Sequence, residues 1–121
     1  MHNARMPFKS SDSLLPLTPI SFEVLLALMD GELHGYAILQ AVETRLAGKL
    51  PLRTGTMYRA LARLLDEGLI ERSGGAQDQD PRRRNYRITA HGRSTAKAEA
   101  RRLADQVDAA RAHRLLPESR R

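Results

Sequence analysis

The sequence predicts a mainly α fold with a small β-hairpin: a winged helix-turn-helix followed by a long C-terminal dimerisation helix. Three observations carry that prediction. Three short stretches with apolar residues at helical spacing succeed one another between residues 18 and 68, each closed by turn residues. The pattern then switches to alternation on the two sides of a polar loop, as in a hairpin. A last helical run carries a narrow stripe of small apolar side chains that it cannot bury against itself.

The first helix is announced by Thr18-Pro19, an N-cap hydroxyl followed by proline at a position where its missing N–H costs nothing. Ile20, Val24, Leu25 and Leu28 follow on one face, flanked by Phe22 and Met29, and Asp30-Gly31 ends the run. A second helix begins near His34-Gly35-Tyr36, continues through Ile38, Leu39, Val42 and Leu46, and ends at Gly48. Pro51 forces an extended link through Leu52.

The third helix runs from Thr54, read as its N-cap, to Gly68, a residue tolerant of the positive φ that a C-cap needs. Met57, Leu61, Leu64 and Leu65 form its apolar face. Thr56, Arg59 and Arg63 lie opposite, with Arg53 just ahead. Such a helix suits a DNA major groove: its N-terminal N–H groups favour phosphate, and its arginines reach phosphates or guanine O6 and N7. An ordinary solvated helix face has the same look, so the neighbouring elements have to decide.

Leu69-Ile70-Glu71-Arg72 reads as a short strand, and residues 73–81 as a turn-rich connection. Residues 82–89 then alternate, with Arg84, Tyr86 and Ile88 on one face and Arg83, Asn85 and Arg87 on the other. The tip carries Asp78 and Asp80, so phosphate contacts of the wing are assigned to Arg82, Arg83 and Arg84 rather than to the apex. The same triplet would also serve as an edge-strand charge cluster that discourages aggregation. Tyr36 and Tyr86 are expected to fill the small core. Tyr58 is expected to pack its ring at the helix start and aim its hydroxyl at phosphate.

Thr89 caps the last helix, from about His91 to Leu115 or Leu116, roughly 36 Å long at 1.5 Å per residue. Ala96, Ala100, Leu103, Val107 and Ala110 repeat at alternating spacings of four and three, an a/d seam assigned to a homodimer contact. The expected division is a loosely ordered arm over 1–17, the winged domain over 18–89, the dimerisation helix over 90–116 and a tail over 117–121. Pro117 is expected to end the helix.

Composition fits a polyanionic partner. The 121 residues carry a formal charge of +6, and nearly all the cations are arginine. There is no cysteine, which removes disulfides, thiol catalysis and cysteine metal sites. His2, His34, His91 and His113 share no metal-ligand spacing, and no cofactor is expected. There is no glycine-rich phosphate loop, and the acids Asp66, Glu67 and Glu71 read as solvated charges around a helix exit, so no enzyme is expected. No apolar run is long enough for a membrane span, and the N-terminus lacks a signal-peptide core, which reads as cytoplasmic.

Four segments, in order, resemble the PadR family of bacterial winged-helix transcriptional regulators. They are His34-Gly35-Tyr36, the run from Thr54 to Leu61, the exit Leu64…Glu67-Gly68-Leu69-Ile70, and Arg84 to Thr89 with Gly92-Arg93. The resemblance covers about residues 18–93 and implies a dimeric DNA-binding repressor with a C-terminal dimerisation region. By similarity, Thr56, Tyr58, Arg59 and Arg63 fall in the recognition helix and Arg82, Arg83 and Arg84 in the wing. Asn85 departs from the family, where many members carry an aromatic. A single helix after the winged domain matches the short-tailed branch, which leaves little room for a large effector pocket there. The family's phenolic or drug-like apolar effectors make a small-molecule effector an expectation by analogy. A protein-interaction adaptor docking an acidic partner is the alternative that the fold leaves open.

Overall fold

The computed structural model describes residues 8–49, 52–73 and 80–118. Four helices and a three-stranded antiparallel sheet follow in the order α1 (Pro19–Ala27), β1 (Leu33–His34), α2 (Gly35–Leu46), α3 (Thr54–Asp66), β2 (Ile70–Ser73), β3 (Asn85–Ile88) and α4 (Ala90–Ala112). The expected winged helix-turn-helix with a long C-terminal helix is therefore the architecture. The Asp78 tip and Pro51 lie outside the described residues.

The caps explain where the helices start and stop. Thr18 Oγ1 accepts from Ser21 N at 3.1 Å, and Pro19 takes the first position of α1. At α3 the expected cap shifts by one residue: Arg53 holds the extended capping conformation, Thr54 is already helical, and no side chain caps the turn. Gly68, at φ 75°, closes α3 with Gly68 N donating to Leu65 O and Leu69 N to Leu64 O. That 6→1 and 5→2 pair satisfies two terminal carbonyls and needs the left-handed residue between them. Helix α2 ends at Leu46, with both Ala47 and Gly48 left-handed.

The sheet is larger than a hairpin. Its order is β1-β3-β2, because Leu33 and His34 pair with Tyr86 and Asn85 on the outer edge of β3. Two residues are too short for alternation to reveal β1. On the other side Ile70 faces Ile88 and Arg72 faces Tyr86. Arg82, Arg83 and Arg84 precede β3 in a turn and are not strand residues, so the expected alternation starts only at Asn85. Within β3 it holds: Tyr86 and Ile88 are buried while Arg87 is exposed.

One core joins all these elements. Val24, Leu25 and Leu28 of α1, Ile38 and Val42 of α2, Met57, Leu61 and Leu64 of α3 meet Leu69, Ile70 and Tyr86 of the wing. Residues 8–17 do not behave as the expected loose arm. Asp12–Leu14 form a 3-10 turn, Leu17 is buried, and Leu14 and Leu15 lean on the core. Two polar side chains one helical turn apart on α4 hold this segment. Thr95 shares a 2.9 Å hydrogen bond with Ser11, and the Leu17 backbone N–H helps to lower the pKa of Glu99.

Helix α4 begins as expected, with Thr89 Oγ1 accepting from Gly92 N at 2.9 Å. It ends earlier, at Ala112, where Arg114 turns left-handed at φ 62° and Leu115 N donates to Ala110 O. The stop is set by this cap before Pro117 is reached.

Candidate nucleic-acid interface

Helix α3 separates its residues cleanly. Met57, Leu61 and Leu64 are buried against α1 and the wing, while Arg53, Thr54, Arg59 and Arg63 are exposed and Thr56 is half-buried. Arg59 Nη2 donates to Thr56 Oγ1 at 3.4 Å, a long bond that leaves the guanidinium's other donors outward. Arg63 Nε reaches Glu67 at 3.1 Å along the helix, an exposed pair worth little in water. With no side-chain cap, the first-turn N–H groups of α3 add positive potential beside Arg53. Between this face and the start of α1 lies a cleft of about 470 Å³, lined by Thr18, Ser21, Thr56, Arg59 and Arg63 among others.

The wing root supplies the second group of cations. Arg82 and Arg83 are exposed and Arg84 is half-buried. Asp80 accepts from Arg82 through its backbone N at 3.0 Å, Nε at 3.2 Å and Nη2 at 3.1 Å. The Arg82 side chain holds the Asp80 carboxyl below the usual carboxylate range, and Asp80 in turn raises Arg82. The acid expected to hinder phosphate binding is thus neutralised locally by one member of the triplet.

All three tyrosines of the chain gather where α2, α3 and the wing root meet. Tyr86 is buried and its hydroxyl donates to Pro81 O at 3.4 Å, as a core role requires. Tyr36 is 53% exposed, so its expected core role is corrected: it stands on the surface at the start of α2. Tyr58 inverts the expectation for its polar end. Its hydroxyl oxygen is buried without a hydrogen-bond partner, and burial raises its pKa, opposed by the nearby Arg82 charge. Tyr58 therefore packs beneath the wing root, and direct phosphate contact would require its hydroxyl to be uncovered.

The five seam residues of α4 lie on a different part of the molecule. Ala96 is buried in the chain's own core, whereas Ala100 and Val107 are exposed and Leu103 and Ala110 half-buried. The intrachain face is Gly92, Thr95, Ala96 and Glu99, so Ala96 belongs to the fold before it belongs to any seam. A cleft of about 370 Å³ between α1 and α4 is lined by Phe22, Leu26, Met29, Ala96 and Ala100, with Arg93 and Lys97 at its rim. Thr95 and Glu99 lie outside the apolar seam, and polar residues on an Arg-rich helix carry no apolar periodicity as a sign of burial. Their four-residue spacing, followed by Arg102, was the available signal. Glu99 Oε1 and Oε2 each accept from Arg102 at 2.8 Å, which holds this 2% exposed carboxyl below the usual range.

Among the described residues no group of three or more His, Asp or Glu side chains could hold a metal, and no helix is long and apolar enough to cross a membrane. The basic third helix, the sheet paired on its far side and the arginines at the wing root define a winged helix-turn-helix protein of the kind that meets duplexes. Residues 24–98 match the transcriptional regulator PadR-like family, more than half of the chain. The chain belongs to that family.

Solved relatives share the architecture. A transcriptional regulator from Clostridium thermocellum superposes with a TM-score of 0.66 at 25% identity, over 86% of this chain and 96% of that one. Bacillus subtilis PadR, in complex with operator DNA, superposes with a TM-score of 0.56 at 25% identity, over 69% of this chain and 47% of that one. In sequence, 81 residues are 40% identical to an uncharacterized 37.1 kDa protein in transposon TN4556 of Streptomyces fradiae. The chain spans 22% of the length of that relative.

Proposed function

We propose that the chain is a sequence-specific DNA-binding transcriptional regulator, a homodimeric repressor of a pseudo-palindromic operator. The observation that carries this reading is the division of α3: its apolar residues are inside, and Arg53, Arg59 and Arg63 line its outer face beside the wing-root arginines. The operator complex of Bacillus subtilis PadR supports the same use of the fold here. In this reading Arg59 and Arg63 enter the major groove, with Arg53, Thr54 and Thr56 at the helix start. Arg82, Arg83 and Arg84 hold the flanking backbone, and Tyr58 supports them from beneath. Most of the affinity is ionic and falls with salt, while specificity comes from a few base-edge contacts.

The α4 seam after Ala96 – Ala100, Leu103, Val107 and Ala110 – pairs with a second copy in this reading, helped by the half-buried apolar residues of α1. The functional division is then a winged domain over 18–89 and a dimerisation helix over 90–116. Two recognition helices about one turn of DNA apart imply inverted half-sites, and occupancy of a promoter would exclude polymerase. In this reading a small apolar effector would enter the α1–α4 cleft, lined largely by apolar side chains, and release DNA by favouring another spacing of the two α3 helices. A chain with this role works in the cytoplasm, where the DNA is.

Selection from a random duplex pool at physiological salt tests the proposal. An enriched inverted repeat is the expected result. Binding only at low salt, with no enriched sequence, would contradict it and bring forward an adaptor for an acidic protein. Against that adaptor, the large exposed apolar residues among those described lie elsewhere than on α3.

A further inference from the structure

Helix α2 starts without a side-chain cap: His34 holds the capping position, but its imidazole makes no bond to the first turn. The first two N–H groups of the helix donate to the wing root instead. Gly35 N reaches the Arg84 carbonyl at 3.1 Å, and Tyr36 N reaches the Arg82 carbonyl at 3.2 Å. Unsatisfied N–H groups at the positive end of a helix are a favourable seat for two carbonyl oxygens. The fit is close. Gly35 is buried, and a Cβ on it would collide with the Pro81 carbonyl oxygen and stand 3.2 Å from Arg82 Cα. Gly35 is not among the residues of positive φ, so glycine is required there by space.

Two further bonds hold the same segment. Tyr86 Oη donates to the Pro81 carbonyl at 3.4 Å, and Arg82 N donates to Asp80 Oδ1 at 3.0 Å. Residues 80–84 are thus tied through their backbone while the side chains of Arg82 and Arg83 remain exposed.

We propose that Gly35 is a positioning residue for the wing: by letting residues 80–84 sit on the first turn of α2, it fixes where Arg82, Arg83 and Arg84 stand relative to the α3 face. The inference rests on the DNA-binding reading. Gly35→Ala leaves every charge in place and moves only the ground on which three of them stand.

The test is the salt dependence of affinity for a selected duplex, in which each phosphate contact contributes a slope of about 0.9. Gly35→Ala is expected to flatten the slope by about one to three units and to keep the base preference of the site, because α3 is unaltered. Partial unfolding would lower the active fraction without flattening the slope. Added to a triple Arg82→Ala, Arg83→Ala, Arg84→Ala variant, Gly35→Ala is expected to add no further loss, since both act through the same contacts. Fully additive losses, or a Gly35→Ala protein with the native slope and affinity, would overturn the proposal. Should Gly35→Ala not fold, Tyr86→Phe removes the hydroxyl that bonds the Pro81 carbonyl and, with it, that hydroxyl's contact with the Arg84 side chain. It is expected to speed amide exchange at Gly35 and Tyr36 and to flatten the slope by less than one unit; faster exchange with an unchanged slope overturns the proposal. Failure of the native chain to select any duplex contradicts the DNA-binding reading instead, which keeps the two apart.

Discussion

Helices α3 and α4 are both arginine-bearing and amphipathic, yet they dispose of their apolar faces differently. In α3, Met57, Leu61 and Leu64 are all buried within the chain, and apart from Gly55 and Ala62 what is exposed is charged or polar. In α4 only Gly92, Thr95, Ala96 and Glu99 are buried, and no described residue after Glu99 is. Val107, Leu115 and Leu116 stay exposed there. A cationic face with no large apolar side chain exposed gains most from a polyanion, whose counterions it releases. An apolar stripe running past the end of its own domain gains most from protein cover. The contrast is what supports the proposal of DNA for one helix and of a second copy for the other.

The contrast breaks most severely if the inner face of α3 is cut. Leu64→Ala is expected to destabilise the fold by about 2–5 kcal/mol in denaturant titrations, because a fully buried leucine leaves a cavity. A loss under ~1 kcal/mol would mean that α3 is not held by this core. On the outer face, Arg59→Ala is expected to leave stability unchanged and to weaken operator binding by about 1–3 kcal/mol if the residue reads a guanine. Equal affinity of the two proteins would remove Arg59 from the interface. Arg63→Ala is expected to have the smaller effect of the two, since Arg63 shares its guanidinium with Glu67.

The junction between α4 and the N-terminal segment sharpens the comparison by pH. Arg102 holds the Glu99 carboxyl below its usual range, so the folded-state pKa lies under the unfolded one. The associated stability is complete above the ordinary carboxylate pKa and is lost as pH falls through the depressed value. Native chain melts are therefore expected to drop more steeply in that acidic window than those of Glu99→Gln, which starts lower at neutral pH. Parallel curves would show that Glu99 is not coupled to folding. The smallest effect expected is at the α1 cap, where Thr18→Ala removes the bond to Ser21 N and should lower stability by about 1 kcal/mol.

What the sequence disclosed follows the same division. Helical spacing placed α1, α2 and α3 and their inward residues, because each buries one face against a common core and spacing is the imprint of that burial. Thr18 and Thr89 announced their caps by residue type alone. Strand β1 was illegible because two residues hold no period, and its partner lies some fifty residues away on β3. Tyr36 was misplaced because an aromatic ring carries no sign of which side of a helix start it will stand on. The buried side of α4 was hidden by its polarity: Thr95 and Glu99 are inside with Ser11 and Arg102 as their hydrogen-bond partners. Arg102 is only three residues from Glu99, but Ser11 sits 84 residues from Thr95, beyond the reach of any local pattern.

The most direct measurement is the mass of the protein–DNA complex by sedimentation, for the native chain and Val107→Asp, on a duplex bearing one selected inverted repeat and on one bearing a single half-site. Two native chains are expected on the full repeat. Val107→Asp is expected as a monomer that binds the half-site with native affinity and loses the advantage of the full repeat. A Val107→Asp protein that remains a dimer, or a native chain that occupies the repeat as a single copy, would contradict the assignment of α3 to DNA and α4 to self-association.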